Sequence, residues 1–205
     1  MQLIAGDMQE IGMANELITE SVLAKHSLLE QFQENQSLPI NNALAKLVSK
    51  NFIPTGTVLV KRSTLIEAGM FNTAIRFGED LELWAKIAAK HPTTCMPEIL
   101  MLRRLHDQNA TKCTAPMLAD LVKVMESIGY YAKDALNRQN INENKLIADA
   151  WGDLGYWHFV NEDYQQAKIA FWNALNKKLN KCSLIYFLAC LLPKGLIKGI
   201  RKIKG

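Results

Sequence analysis

Residues 76–84 read Arg76-Phe77-Gly78-Glu79-Asp80-Leu81-Glu82-Leu83-Trp84, and the fold assignment turns on them. The glycine delivers two adjacent carboxylates into the start of an apolar-periodic run, "EDLELWAKIAAKH", that reads as an amphipathic helix ended by His91-Pro92. The backbone N–H groups of a helix's first turn are unpaired, and the macrodipole there favours negative charge. Glu79 and Asp80 therefore suit this position as plain helix-start acids and equally as chemical groups. Trp84 lies one turn after Asp80 on the same face, and is either a core anchor or a flat surface for a ligand.

Outward from this helix the order is strand, helix, strand, helix, helix, strand. "MQLIAGD" reads as a short buried strand, and the region around Leu17–Phe32 has weak helical character. Pro39 stands at an expected helix start, where Ile40, Ala43, Leu44, Leu47 and Val48 lay one apolar stripe. "TGTVLVKR" alternates as a half-buried strand, with Val58 and Val60 on one side. Thr64 and Glu67 fit a capping box for a short helix that stops at Gly69. "TTCMPEILMLRRLH" returns to extended structure, and nearly everything beyond Ala115 reads as helix.

At 205 residues, 49% hydrophobic and 21% charged, the chain has the composition of a folded globular protein with one sizeable core or a domain and an appendage. It contains no run of about 18 consecutive apolar residues, which argues against a transmembrane span, and no signal-peptide pattern. Cys95, Cys113, Cys182 and Cys190 lack C-x-x-C spacing and read as free thiols in a reducing compartment, so a cytoplasmic location is expected. The sequons at Asn35 and Asn109 are then incidental. Charge is uneven: residues 1–50 hold six acids and three bases, whereas residues 177–205 hold eight bases and no acid. The basic end is either a solvated tail or a contact for an anionic membrane surface at the inner face of the cell membrane. In "LPKGLIKGIRKIKG", Leu196, Ile197, Ile200 and Ile203 form a stripe that the cations largely avoid. Nucleic-acid binding is not expected, because the bases follow no recognition motif.

Taken together, Asn51-Phe-Ile-Pro-Thr-Gly-Thr-Val-Leu-Val-Lys-Arg-Ser, Ala68-Gly-Met-Phe, Phe77-Gly-Glu-Asp-Leu-Glu-Leu-Trp and Arg104-Leu-His106 resemble the acceptor half of family 2 glycosyltransferases of the GT-A fold. The resemblance covers roughly residues 1–112 and rests on order and spacing. It implies an inverting transfer of a sugar from a nucleotide-diphospho-sugar donor to a glycan or lipid-linked acceptor in cell-surface polysaccharide synthesis. It makes Asp80 the base that takes the acceptor hydroxyl's proton, with Glu79 holding the acceptor or orienting Asp80. A carboxylate in a partly dehydrated cleft suits that task, since lost solvent raises its pKa. Trp84, Thr55 and Gly56 become acceptor-binding residues, and Arg104 a diphosphate contact. The family's divalent metal (Mn or Mg) is held mainly by a D-x-D motif. None occurs here, the family places it before Met1, and the chain is expected to be incomplete at its N-terminus. His106 is then the one candidate ligand, or else a surface histidine.

Trp151, Leu154, Gly155, Ala167, Phe171 and Ala174 match a tetratricopeptide-like pattern, two antiparallel helices with small residues in the seam. Residue 158 is histidine where that pattern has tyrosine, and Leu179 stands where it has proline. One such unit needs neighbours, expected at 115–138 and 182–192, and is either a plain packing hairpin or a protein-binding one. The fold class expected is α/β: a partial GT-A-like mixed-sheet domain over 1–112, then an all-helical extension over 113–205 carrying the hairpin and the basic tail. The rival to a transferase is a non-catalytic helical protein-interaction module.

Overall fold

The computed structural model describes residues 1–34, 38–106 and 114–193. Asn35, Asn109, Cys113 and the amphipathic stripe of the basic tail lie outside the described residues. The chain forms two compact units, residues 1–111 with 130–141, and residues 112–129 with 142–205. The described architecture is a mixed four-stranded sheet with helices, followed by a largely helical C-terminal region.

In the first unit, β1 (Leu3–Ile11) is the central strand, and it runs longer than the sequence suggested. Its near-continuous burial is what a strand covered on both faces requires. On one side it pairs in parallel with β4 (Thr93–Arg104), which the sequence placed correctly. The other edge is shared by two short antiparallel partners. β3 (Leu59–Val60) pairs with Leu3 and Ile4, and β2 (Leu17–Thr19) pairs with Glu10 and Ile11. Between them the Thr57 hydroxyl accepts from the Gly6 N–H at 3.1 Å, filling the gap in the ladder. The register against β4 slips around Pro97: Ala5 faces Cys95, but Asp7 faces Ile99. Proline has no N–H to give the ladder, so extra residues bulge there.

The weak helical signal over Leu17–Phe32 resolves into β2 and two short helices, α1 (Val22–Lys25) and α2 (Leu29–Glu34). Buried Asp7 explains the break. Its carboxylate accepts from the N–H groups of Val22 and Leu23 at 3.0 and 3.1 Å and from the Ser21 hydroxyl, so strand β1 itself caps α1. α3 (Ala43–Lys50) carries the expected stripe, with Ile40, Ala43, Leu44, Leu47 and Val48 all buried. It begins at Ala43 rather than after Pro39, because Asn42 is left-handed and the Ile40 N–H pairs with the Thr93 carbonyl at 3.2 Å.

Two more expectations are corrected. The strand read over Thr55–Arg62 shrinks to Leu59–Val60, since Thr55–Thr57 close a 3-10 turn. The capping box fails: α4 (Arg62–Glu67) starts after Lys61, and buried Thr64 turns its hydroxyl to Gln2 at 3.3 Å. Its end at Gly69 (φ 86°) is as read. α5 (Glu79–Lys90) packs on α3 and buries Leu83 and Ile87, as α3 buries Leu44 and Leu47. The helix read over 115–138 divides at Ala132 into α6 (Ala115–Tyr131) and α7 (Lys133–Arg138), and α7 packs on α3 and α5.

In the second unit α8 (Glu143–Val160) and α9 (Tyr164–Lys177) form the expected antiparallel hairpin. A Cβ at Gly155 would stand 2.8 Å from the Phe171 ring, so glycine lets the two backbones close on that ring. Trp151 packs with Leu118, Val122, Leu154 and Ala170, and its indole N–H reaches Glu126 at 3.3 Å. α10 (Lys181–Ala189), capped by Asn180, stacks Tyr186 on Phe171 at 5.5 Å.

Candidate functional site

Gly78 precedes α5 with φ 83°, a left-handed conformation that glycine adopts without steric cost. That turn places Glu79 and Asp80 in the first helical turn, both partly exposed. Asp80 Oδ1 accepts from the Leu81 N–H at 2.7 Å, while Oδ2 accepts from the Thr55 hydroxyl at 2.6 Å. Thr55 comes from the 3-10 turn, which is itself anchored: the Thr57 hydroxyl donates to the Pro54 carbonyl at 2.8 Å and accepts from β1 at Gly6. Residues 25 positions apart therefore meet at one oxygen. Gly56 is adjacent, and a Cβ there would come within 2.5 Å of Met101 Sδ on β4. A side chain at this position would require the Met101 side chain to shift.

Trp84 does not join this group as an open face. It is 3% exposed and packs edge-on to Phe71 at 5.8 Å, so of its two readings the geometry supports the core anchor. Arg104 lies at the far end of β4 and clasps the β1–β2 loop, donating to the Gly12 carbonyl at 2.8 Å and to Asn15 Oδ1 at 2.7 Å. His106 follows it, exposed, just past the strand. Among the described residues no three His, Cys, Asp or Glu side chains stand together as a metal shell. His106 therefore does not assemble a metal site with the residues described, and no chemical step is routed through one.

Three features escaped the sequence reading. Glu10, buried on β1, is desolvated, yet the Thr19 hydroxyl at 2.7 Å, Lys25 at 3.0 Å and Arg103 at 3.5 Å outweigh that and hold its carboxyl below the usual range. A groove of about 560 Å³ lies toward the opposite end of α5, between Glu67, Phe71, Asn72, Lys90, His91 and Tyr131. Glu67 pairs there with His91 at 3.3 Å, and Lys86 sits over the Tyr131 ring at 4.4 Å. A smaller hollow of about 270 Å³ between α8 and α10 holds Asp149, Asp153 and Ser183. Burial, and then Asp149, push the Asp153 carboxyl up. Each feature joins residues remote in sequence, so no local motif announces it.

The thiols at Cys95, Cys182 and Cys190 are free. Burial, then Asp7 and Glu98, push Cys95 up to about 12, and burial, partly offset by Lys168, pushes Cys190 to about 11. Neither is an activated nucleophile.

What the arrangement offers chemically is a partly exposed carboxylate, fixed by a hydroxyl from a rigid turn and set at a helix N-terminus. No protein family, curated protein or solved structure matches this chain, so the site stands on its own geometry.

Proposed function

We propose that residues 1–112 form the acceptor side of a family 2 glycosyltransferase of the GT-A fold, with Asp80 as general base. The observation that carries this reading is the Thr55–Asp80 hydrogen bond: the two motifs that the resemblance assigns to the acceptor meet at one carboxylate oxygen. The element order supports it too, with β3, α4 ending at Gly69, α5 and the long β4 in the sequence expected of such a domain.

In this reading the acceptor hydroxyl docks at Asp80 in place of the Thr55 hydroxyl. As its oxygen bonds to the anomeric carbon, its proton passes to the carboxylate and the bond from that carbon to the diphosphate breaks. The nucleoside diphosphate leaves with the bonding pair, and configuration inverts. A positioned base of this kind contributes about 10²–10⁴ in rate. Glu79, on the same turn, orients the acceptor, and Gly56 keeps the approach low. Arg104 is a positioning residue here, holding the β1–β2 loop. The donor is a nucleotide-diphospho-sugar and the acceptor a glycan or lipid-linked glycan, with the protein working on the cytoplasmic side.

The test is transfer of label from a panel of nucleotide-diphospho-sugars to lipid-linked glycan. It uses the chain together with any residues that precede Met1 in its reading frame. Incorporation that requires an added acceptor supports the proposal. Absence of transfer from every donor hands the function to the helical unit as an interaction module. The observation favouring that second reading is the antiparallel hairpin of α8 and α9.

A further inference from the structure

α10 and the turn after it read Lys181-Cys-Ser-Leu-Ile-Tyr-Phe-Leu-Ala-Cys-Leu-Leu192, apolar nearly all round. A helix of that composition belongs in a core or at a membrane. Yet in α10 only Ser183 is fully buried. At about 100° per residue the helix has two sides. Tyr186, Phe187, Ala189 and Cys190 pack on the cluster of Phe159, Tyr164, Ala167 and Phe171. Opposite Tyr186 fall Leu184, Ile185, Leu188, Leu191 and Leu192, which are 44, 64, 52, 56 and 43% exposed. The last two lie in the turn that continues the helix, with the Leu191 N–H donating to the Leu188 carbonyl at 3.1 Å. Five adjacent large apolar side chains in water make a patch that calls for a covering surface.

Charge identifies what covers it. Residues 177–205 contain eight Lys or Arg and no Asp or Glu, and exposed Lys181 lies on the apolar stripe itself. Asp149 and Asp153 line a hollow with Tyr186, Cys182 and Ser183 of α10, and none of the five stripe residues lines it. A second copy of the chain seated here would bring like cations together, a repulsive arrangement. Nucleic acid has no use for five aliphatic side chains. An anionic lipid surface takes both, with aliphatic groups at the acyl boundary and cations at the phosphates. At nine residues α10 is about 14 Å long, too short to cross a bilayer core of about 30 Å.

We infer that the outer face of α10 lies in the interface of an anionic membrane and seats the protein there through Leu184, Ile185, Leu188, Leu191 and Leu192. This surface belongs to the helical unit and does not depend on the transferase reading, since it is tested by binding without turnover. The measurement is co-sedimentation of the full chain with vesicles of phosphatidylcholine alone or mixed with phosphatidylglycerol. The wild-type chain is expected to pellet with the mixed vesicles only, and to be released by salt. The Ile185→Gln/Leu188→Gln pair changes exposed side chains, so the helical circular dichroism is expected to persist. Binding is expected to fall about tenfold or more. Ile66→Gln on α4, similarly exposed, leaves it unchanged. Equal sedimentation of the double variant, absence of wild-type binding, or a wild-type dimer that the double variant dissolves would each overturn the inference.

Discussion

Glu10 shows what a single buried carboxylate does for this fold. It is 6% exposed on the central strand, and its partners Thr19, Lys25 and Arg103 come from β2, α1 and β4. One side chain thus ties both edges of the sheet to its centre. Because its folded pKa lies below the ordinary 4.5, the ionised form stabilises the fold above that value, and the gain disappears as pH falls through the folded value. Glu10→Gln is therefore expected to cost about 1–3 kcal/mol at neutral pH, the scale of hydrogen bonds to a charged group. Urea denaturation across pH checks it: the gap between wild type and variant must narrow in acid. A gap independent of pH would mean that Glu10 acts through shape and not charge.

The hairpin of α8 and α9 brings the argument to elements, where two glycines three residues apart have opposite roles. A Cβ at Gly152 would meet Ser183 Oγ at an ordinary 3.5 Å, so Gly152→Ala keeps the packing and gains helix propensity of about 1 kcal/mol. At Gly155 the same methyl enters the Phe171 ring at 2.8 Å. The strain of overpacking, about 1–3 kcal/mol, exceeds the propensity gain. Thermal melts should therefore move up for Gly152→Ala and down for Gly155→Ala. Two shifts of the same sign would contradict the close approach of the helices at this seam.

Elements also separate what the sequence made legible from what it did not. α5 was readable because a glycine, two acids and a regular stripe are local signals, and the structure bears out its start and its end. The stripe of α3 and the hairpin of α8 and α9 were readable for the same reason. β2 and the true start of α3 were not, because each is decided by a partner elsewhere. Thr19 pairs with Glu10, Ile40 hydrogen-bonds Thr93, and Asp7 caps α1 from within the central strand. In the candidate site the contact of Thr55 with Asp80 was foreseen as a neighbourhood. Trp84 is buried with Phe71 edge-on to it, which is the core anchor that its periodicity offered and not the ligand face that the resemblance implied.

For the molecule as a whole, the two units divide the work in the proposal. The sheet unit holds the carboxylate that takes a proton, and the helical unit carries the apolar face and the basic end. No described helix is long and apolar enough to cross a membrane. A transferase acting on lipid-linked glycans needs a surface that brings it to lipid, and the outer face of α10 supplies one without a span. The central claim is nevertheless about Asp80, and the most direct test of it is transfer by Asp80→Asn beside wild type, both with any residues that precede Met1 included. Asparagine keeps the shape, and its single oxygen accepts from Leu81 or Thr55 but not both, while it is no base at neutral pH. The account predicts turnover lower by about 100-fold or more with an unchanged melting temperature. Near-normal turnover by Asp80→Asn on a verified acceptor would contradict it.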